Sequence, residues 1–206
     1  MPFEHEAALR FCYHLKKHYK IADENVLNVG DELDIYHGSS FGKDPDASHT
    51  PTSEIAIARE KVREWAALFP KMKICISNHG VRWVKKAIAA ELPSQVLKSY
   101  KEIYEIPEGW AYKQSWNLDE KHPFTMVHGC GYSGQAAHRT AALDAGRSIV
   151  MGHLHSNAGI SYIKTAHQQI WGFNAGSLID TEAYAFNYGK DTRFKPCLGA
   201  GLIFND

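Results

Sequence analysis

Side chains able to hold a divalent metal stand in four places along the 206-residue chain, each directly behind a short apolar run. Asp31 lies in Gly30-Asp31-Glu32-Leu33-Asp34, and Asn78 and His79 lie in Ser77-Asn78-His79-Gly80. His128 lies in Val127-His128-Gly129, and His153 and His155 in Gly152-His153-Leu154-His155. A single histidine behind a strand is more often a satisfied polar residue than a ligand. Four such ends in succession point to one shared site, because the carboxyl ends of strands in an α/β sheet open onto a common crevice. The donors mix imidazole, carboxylate and amide, which suits manganese, zinc, iron or nickel better than an all-oxygen calcium cage. Manganese is the first expectation.

The elements that must position these groups alternate between helix and strand. Ala8, Phe11, Cys12, Leu15 and Tyr19 recur at three- and four-residue steps and predict a helix over 6–19. Residues 25–29 (NVLNV) read as a short buried strand running into Gly30-Asp31. After a polar loop over 36–49, Thr50 and Pro51 supply an N-cap and a first-turn proline. Ile55, Ala58, Val62, Trp65 and Phe69 then form one helical face as far as Pro70. Residues 73–77 (KICIS) read as the next strand, 81–90 and 94–104 as helices, and 110–116 (WAYKQSW) as a strand with one face in solvent. Residues 124–127 (FTMV) form a strand ending at His128, and a helix over 135–145 ends at Gly146 as a left-handed cap. Residues 148–151 (SIVM) form a strand ending at His153 and His155, and 169–178 and 198–204 read as further strands. The expected fold class is α/β, as a single domain over 1–206.

Lys plus Arg and Asp plus Glu number 23 each, which excludes a global field that would draw nucleic acid or an anionic membrane. A bound metal is a local positive charge that no residue count includes. No window approaches the roughly 20 apolar residues of a membrane span, and the acidic N-terminal residues lack the pattern of a secretory signal. Cys12, Cys75, Cys130 and Cys197 lie far apart without CxxC spacing, three of them in or beside apolar segments, so a disulfide framework is not expected. These features predict a soluble protein of a reducing compartment, the cytoplasm, with no membrane partner.

In order and spacing, GDELD (30–34), SNHG (77–80), VHG (127–129) and GHLH (152–155) resemble the motifs of the calcineurin-like metallophosphoesterase superfamily. That resemblance implies a two-sheet β-sandwich flanked by helices and hydrolysis of a phosphomonoester or phosphodiester by metal-activated water. By position it makes Asp31 the bridge between two ions. Asn78, His128 and His153 then complete one metal site, and His155 belongs to the other. Asp31 and His79 become the catalytic residues, His79 near the leaving group, while Asp34 holds the loop. The implied partner is a phosphate-ester substrate, with nucleotides and nucleic acids among the candidates.

Two departures from the family pattern keep a second reading open. Family members begin with a strand ending in Asp-x-His, whereas residues 1–5 (MPFEH) resemble the loop that follows that motif, so the first strand and two ligands are missing. Either an upstream extension supplies them, or this form keeps one complete site, with His5 or Glu4 as a substitute ligand at the other. The alternative function is therefore a catalytically impaired family member acting as a metal-stabilised binding module. The second departure is Gly80, which stands where an acidic residue usually orients the histidine of the Asn-His pair; Asp34 is a candidate replacement. His37, Lys43 and His49 are expected in a solvated loop, and Arg82 either reaches a phosphate or serves its helix. Trp110, Tyr112 and Trp116 are expected in packing rather than base stacking, and His14 and His18 in solvent.

Overall fold

The computed structural model describes residues 3–40, 42–45, 47–182 and 193–204. Short apolar runs form two sheets. The first is three parallel strands in the order β1-β2-β3, with β1 Leu27–Asn28, β2 Met72–Cys75 and β3 Trp110–Lys113. The second has five strands: β4 Ser115–Leu118, β5 Phe124–Val127, β6 Ser148–Met151, β7 Ala158–Lys164 and β8 Gln169–Ala175. Their order is β4-β5-β6-β8-β7; the central three run parallel, and each edge strand is antiparallel to its neighbour. Every residue of β6 is buried, as a parallel strand covered on both faces requires.

The helices are α1 Ala8–His18, α2 Pro51–Leu68, α3 Arg82–Ala89, α4 Tyr100–Tyr104 and α5 Ala137–Ala145. The start of α2 agrees with the predicted cap: Thr50 Oγ1 accepts from the Ser53 amide, Ser53 Oγ accepts from the Thr50 amide, and Pro51 opens the first turn. Gly146 closes α5 with φ +60°, the left-handed cap expected there. Among the described residues, no helix is long and apolar enough to cross a membrane.

One core cluster joins α2 to the first sheet through Val62, Phe69, Ile74 and the fully buried Trp110, whose indole N–H donates to the Phe69 carbonyl at 2.9 Å. A second lies between α5 and the five-stranded sheet, where Gly172 lets α5 approach β8 so closely that a Cβ would stand 2.0 Å from the His138 carbonyl oxygen. A third joins the sheets through Cys75, Phe124, Met126 and Val150. This last cluster fixes one sheet against the other, and each sheet carries half of the candidate ligands behind its strands.

Several local expectations change. The strand predicted over 110–116 is two strands, β3 and β4, that divide at Gln114 and enter different sheets. The Trp116 indole holds the crossing by donating to the Ile74 carbonyl at 3.0 Å. The helix predicted over 94–104 breaks into a turn over Ser94–Val96 and the short α4, whose own capping box from Ser99 and Glu102 restarts it. Residues 198–204 form no strand; only Leu198 bridges, to Ser177. The hairpin strand β7 has no counterpart among the predicted elements. Trp110 and Trp116 are packing residues, as expected, and His14 and His18 are exposed.

Candidate metal centre

Four strands deliver the site, and small residues let them do so. Behind β1, Gly30 has φ +101°, and a Cβ there would lie 2.7 Å from Nδ1 of His128, so only glycine admits the imidazole. Behind β6, a Cβ on Gly152 would stand 2.5 Å from Val29 Cγ2, so the ends of β1 and β6 touch. Asp31 (φ 57°) and His153 (φ 67°) both adopt the left-handed conformation, which costs about 1–3 kcal/mol at a non-glycine residue and concentrates at functional sites.

Asp31 sits in the middle. Its Oδ2 is 3.4 Å from His128 Nε2 and 3.9 Å from His155 Nε2, while its Oδ1 is buried without a hydrogen-bond partner and 3.9 Å from His79 Nδ1. Burial works against the charged carboxylate, but hydrogen bonds from His128 and His155 and the charges of His79 and His128 outweigh it and hold Asp31 well below the usual carboxyl range. Asn78 Oδ1 lies 2.9 Å from His128 Nε2. The His128 and His153 rings are 5.0 Å apart between centroids.

The polarity of this cluster is unusual. His128 Nδ1 is 2.7 Å from the Val29 carbonyl oxygen, which can only accept, so Nδ1 carries a proton. In the neutral ring Nε2 is then a lone pair, and it faces two more electron-rich atoms, Asn78 Oδ1 and Asp31 Oδ2. Crowded acceptors need a positive charge among them, either a proton or a cation. Burial lowers the pKa of His128, yet the hydrogen bond and charge of Asp31, with the Val29 carbonyl, raise it overall. The His153 pKa moves the other way, lowered by burial and by the neighbouring His128.

His79 is arranged differently. Arg82 Nη2, a donor only, is 2.7 Å from His79 Nε2, so that nitrogen accepts and Nδ1 holds the proton of the neutral ring. Nδ1 faces Asp34 Oδ1 at 3.3 Å. Asp34 thus stands beside the imidazole although Gly80 follows it in the chain. The Arg82 guanidinium is fixed by the carbonyls of Asp34 and Ile35 and lies 3.5 Å from Asp34 Oδ1. Ile35, a β-branched residue at φ 53°, turns its carbonyl toward that guanidinium.

The structure brings Asp31, Asn78, His79, His128, His153 and His155 to one place. It also adds a residue not singled out from sequence: the Cys130 sulfur and one ring nitrogen each of His128 and His153 all lie within 4.8 Å of one another, and this group could hold a metal ion. His5 turns elsewhere, its Nδ1 accepting from the Ala7 amide at 3.2 Å, and Glu4 pairs with Lys61 at 3.6 Å. Residues 1 and 2 of the predicted leading loop lie outside the described residues. A cavity of about 820 Å³ is lined by Asp31, His153 and His155 together with apolar side chains including Leu27, Val29, Met126 and Phe173. Compared with protein-family models and with curated proteins, the sequence matches none.

Proposed function

We propose that this chain hydrolyses a phosphate ester with metal-activated water, using a site and fold of the calcineurin-like metallophosphoesterase kind. The observation that carries the reading is the convergence of three acceptors, His128 Nε2, Asn78 Oδ1 and Asp31 Oδ2, while His128 Nδ1 is committed to Val29. That donor set fits a divalent ion held by Asp31, Asn78, His128 and His153, with His155 facing the same Asp31 oxygen as His128; manganese, zinc, iron or nickel all accept such ligands. An ion held there supplies a water of lowered pKa and offsets negative charge on phosphate oxygens.

The chain's own residues do the rest. Val29 fixes the His128 tautomer, and Asp31 and His153 each carry a left-handed backbone of the kind that concentrates at functional sites. Arg82 keeps the proton of His79 on Nδ1, between Asp34 and Asp31, and places a guanidinium beside it where an anionic ester would arrive. The test is manganese- or zinc-dependent hydrolysis of bis-p-nitrophenyl phosphate and p-nitrophenyl phosphate by the purified chain, alongside Asp31→Asn. Turnover that needs metal and Asp31 is the expected result. Turnover indifferent to both overturns the proposal.

A second reading, a metal-stabilised binding module without turnover, has one observation in its favour. The apolar cavity reaches the metal ligands and is of ligand-pocket size. Metal bound at Asp31 with no hydrolysis of either ester would select it.

A further inference from the structure

His128 and Cys130 are separated only by Gly129, and that glycine is what lets both face the same point. At φ +108°, Gly129 adopts a backbone conformation that residues with a side chain rarely take, and it packs over the Met151 side chain of β6. The Tyr132 amide then donates to the Gly129 carbonyl at 3.2 Å, closing a turn with Cys130 inside it, and Gly131 at φ +95° completes the reversal. The turn directs the sulfur back to Asn78, with Sγ 3.7 Å from Asn78 Oδ1. Around that sulfur stand the ring nitrogens of His128 and His153. Close by, Asp31 Oδ1 is buried without a hydrogen-bond partner.

We propose that Cys130 is a sulfur ligand of the metal centre and that the site accordingly takes a thiophilic divalent ion of the zinc class in preference to manganese. The proposal rests on reading the cluster as a metal centre. Its chemistry follows from donor softness: imidazole serves manganese, zinc, iron and nickel alike, but thiolate strongly favours zinc, cobalt or iron over the harder manganese and magnesium. On coordination the Cys130 S–H bond breaks, the proton passes to water or buffer, and a sulfur lone pair forms the bond to the metal; no electron is transferred. Cys130 is exposed whereas His128 is buried, so the sulfur is on the solvent side of the group.

Cobalt(II) titration of the chelator-stripped full chain tests this without relying on turnover. Wild type should develop visible d–d absorption together with a near-ultraviolet sulfur-to-cobalt charge-transfer band. Cys130→Ser should keep the visible bands and lose the near-ultraviolet one. Cys197 is the control thiol, since its amide donates to the His155 carbonyl at 2.8 Å and it too lies near the site; Cys197→Ser should keep both. Cobalt binding in wild type without the charge-transfer band, or loss of the band in Cys197→Ser alone, overturns sulfur ligation by Cys130 and leaves the metal centre standing. Absence of any cobalt uptake overturns both.

Discussion

Two buried histidines differ in what their surroundings leave unsatisfied. His128 is 4% exposed and His138 is 6% exposed, and each belongs to the five-stranded half of the molecule. His138 meets partners of complementary polarity: Asn157 Nδ2 is 3.4 Å from its Nδ1, leaving Nε2–H to donate to Ser161 Oγ at 2.8 Å. Asn157 also donates to the Gln135 carbonyl at 2.8 Å. Burial then lowers the His138 pKa, as it should for a neutral ring in a satisfied network. His128 is satisfied on one side only, and its other nitrogen points at acceptors. Burial is the same in kind; what distinguishes the two is whether the surrounding groups leave room for a cation.

The contrast breaks most visibly by removing each ring in turn. Replacing His128→Gln should abolish metal uptake and lower metal-dependent ester hydrolysis by about 10³-fold or more, the loss of a metal's several kcal/mol of charge stabilisation. Because a glutamine amide can donate into the crowded acceptors, the metal-free variant should melt no lower than wild type at about pH 8, where the protonated ring no longer contributes, which differential scanning calorimetry in chelator checks. His138→Ala should do the reverse, costing about 2–3 kcal/mol in urea unfolding through a cavity and unsatisfied partners, with metal uptake unchanged.

The pH dependence of the metal-free protein sharpens the comparison further. For His138 the folded pKa lies below the ordinary 6.5, so the unfolded chain takes the proton first as pH falls. Its stabilising contribution is complete above that value and is lost as pH falls through the folded pKa. For His128 the folded pKa lies above 6.5, so its contribution is complete below that value and is lost as pH rises through the folded pKa. Urea midpoints between about pH 5 and 8 should therefore lose their acid limb in His138→Ala and their alkaline limb in His128→Gln. The smallest effect is expected from Ser161→Ala, about 1 kcal/mol for one lost hydrogen bond, with no change in metal uptake.

Much of this contrast is legible in sequence, for identifiable reasons. The strands behind Asp31, Asn78, His128 and His153 are short apolar runs that stop at Gly or a polar residue, a pattern set by local chemistry, and all four sit where the runs indicate. The cap of α2 and the glycine ending α5 are equally local. By contrast, the division of 110–118 at Gln114 depends on which sheet each half joins, and nothing in the alternation of WAYKQSW encodes that choice. Strand β7 is an edge with one exposed face and a glycine second in line, so its signal is weak. From sequence, Arg82 has two equal roles, phosphate contact or helix residue; its bond to His79 is local, three residues back, while the bonds that fix its guanidinium, to the Asp34 and Ile35 carbonyls, are tertiary and depend on the left-handed turn at Ile35. Cys130 shows in the sequence only as a thiol without a CxxC partner. The hint there is its place two residues after a candidate ligand between two glycines, and what gives it meaning is the turn over Met151.

If the acceptors around Asp31 are gathered for a metal ion, metal content is the most direct check. The chain, loaded with zinc or manganese and freed of excess by gel filtration, should retain at least one ion per molecule by elemental analysis. Asp31→Asn, with an unchanged circular dichroism spectrum, should retain none. A wild-type chain that holds no metal, or an Asp31→Asn variant that holds as much as wild type, would contradict a metal centre built on Asp31.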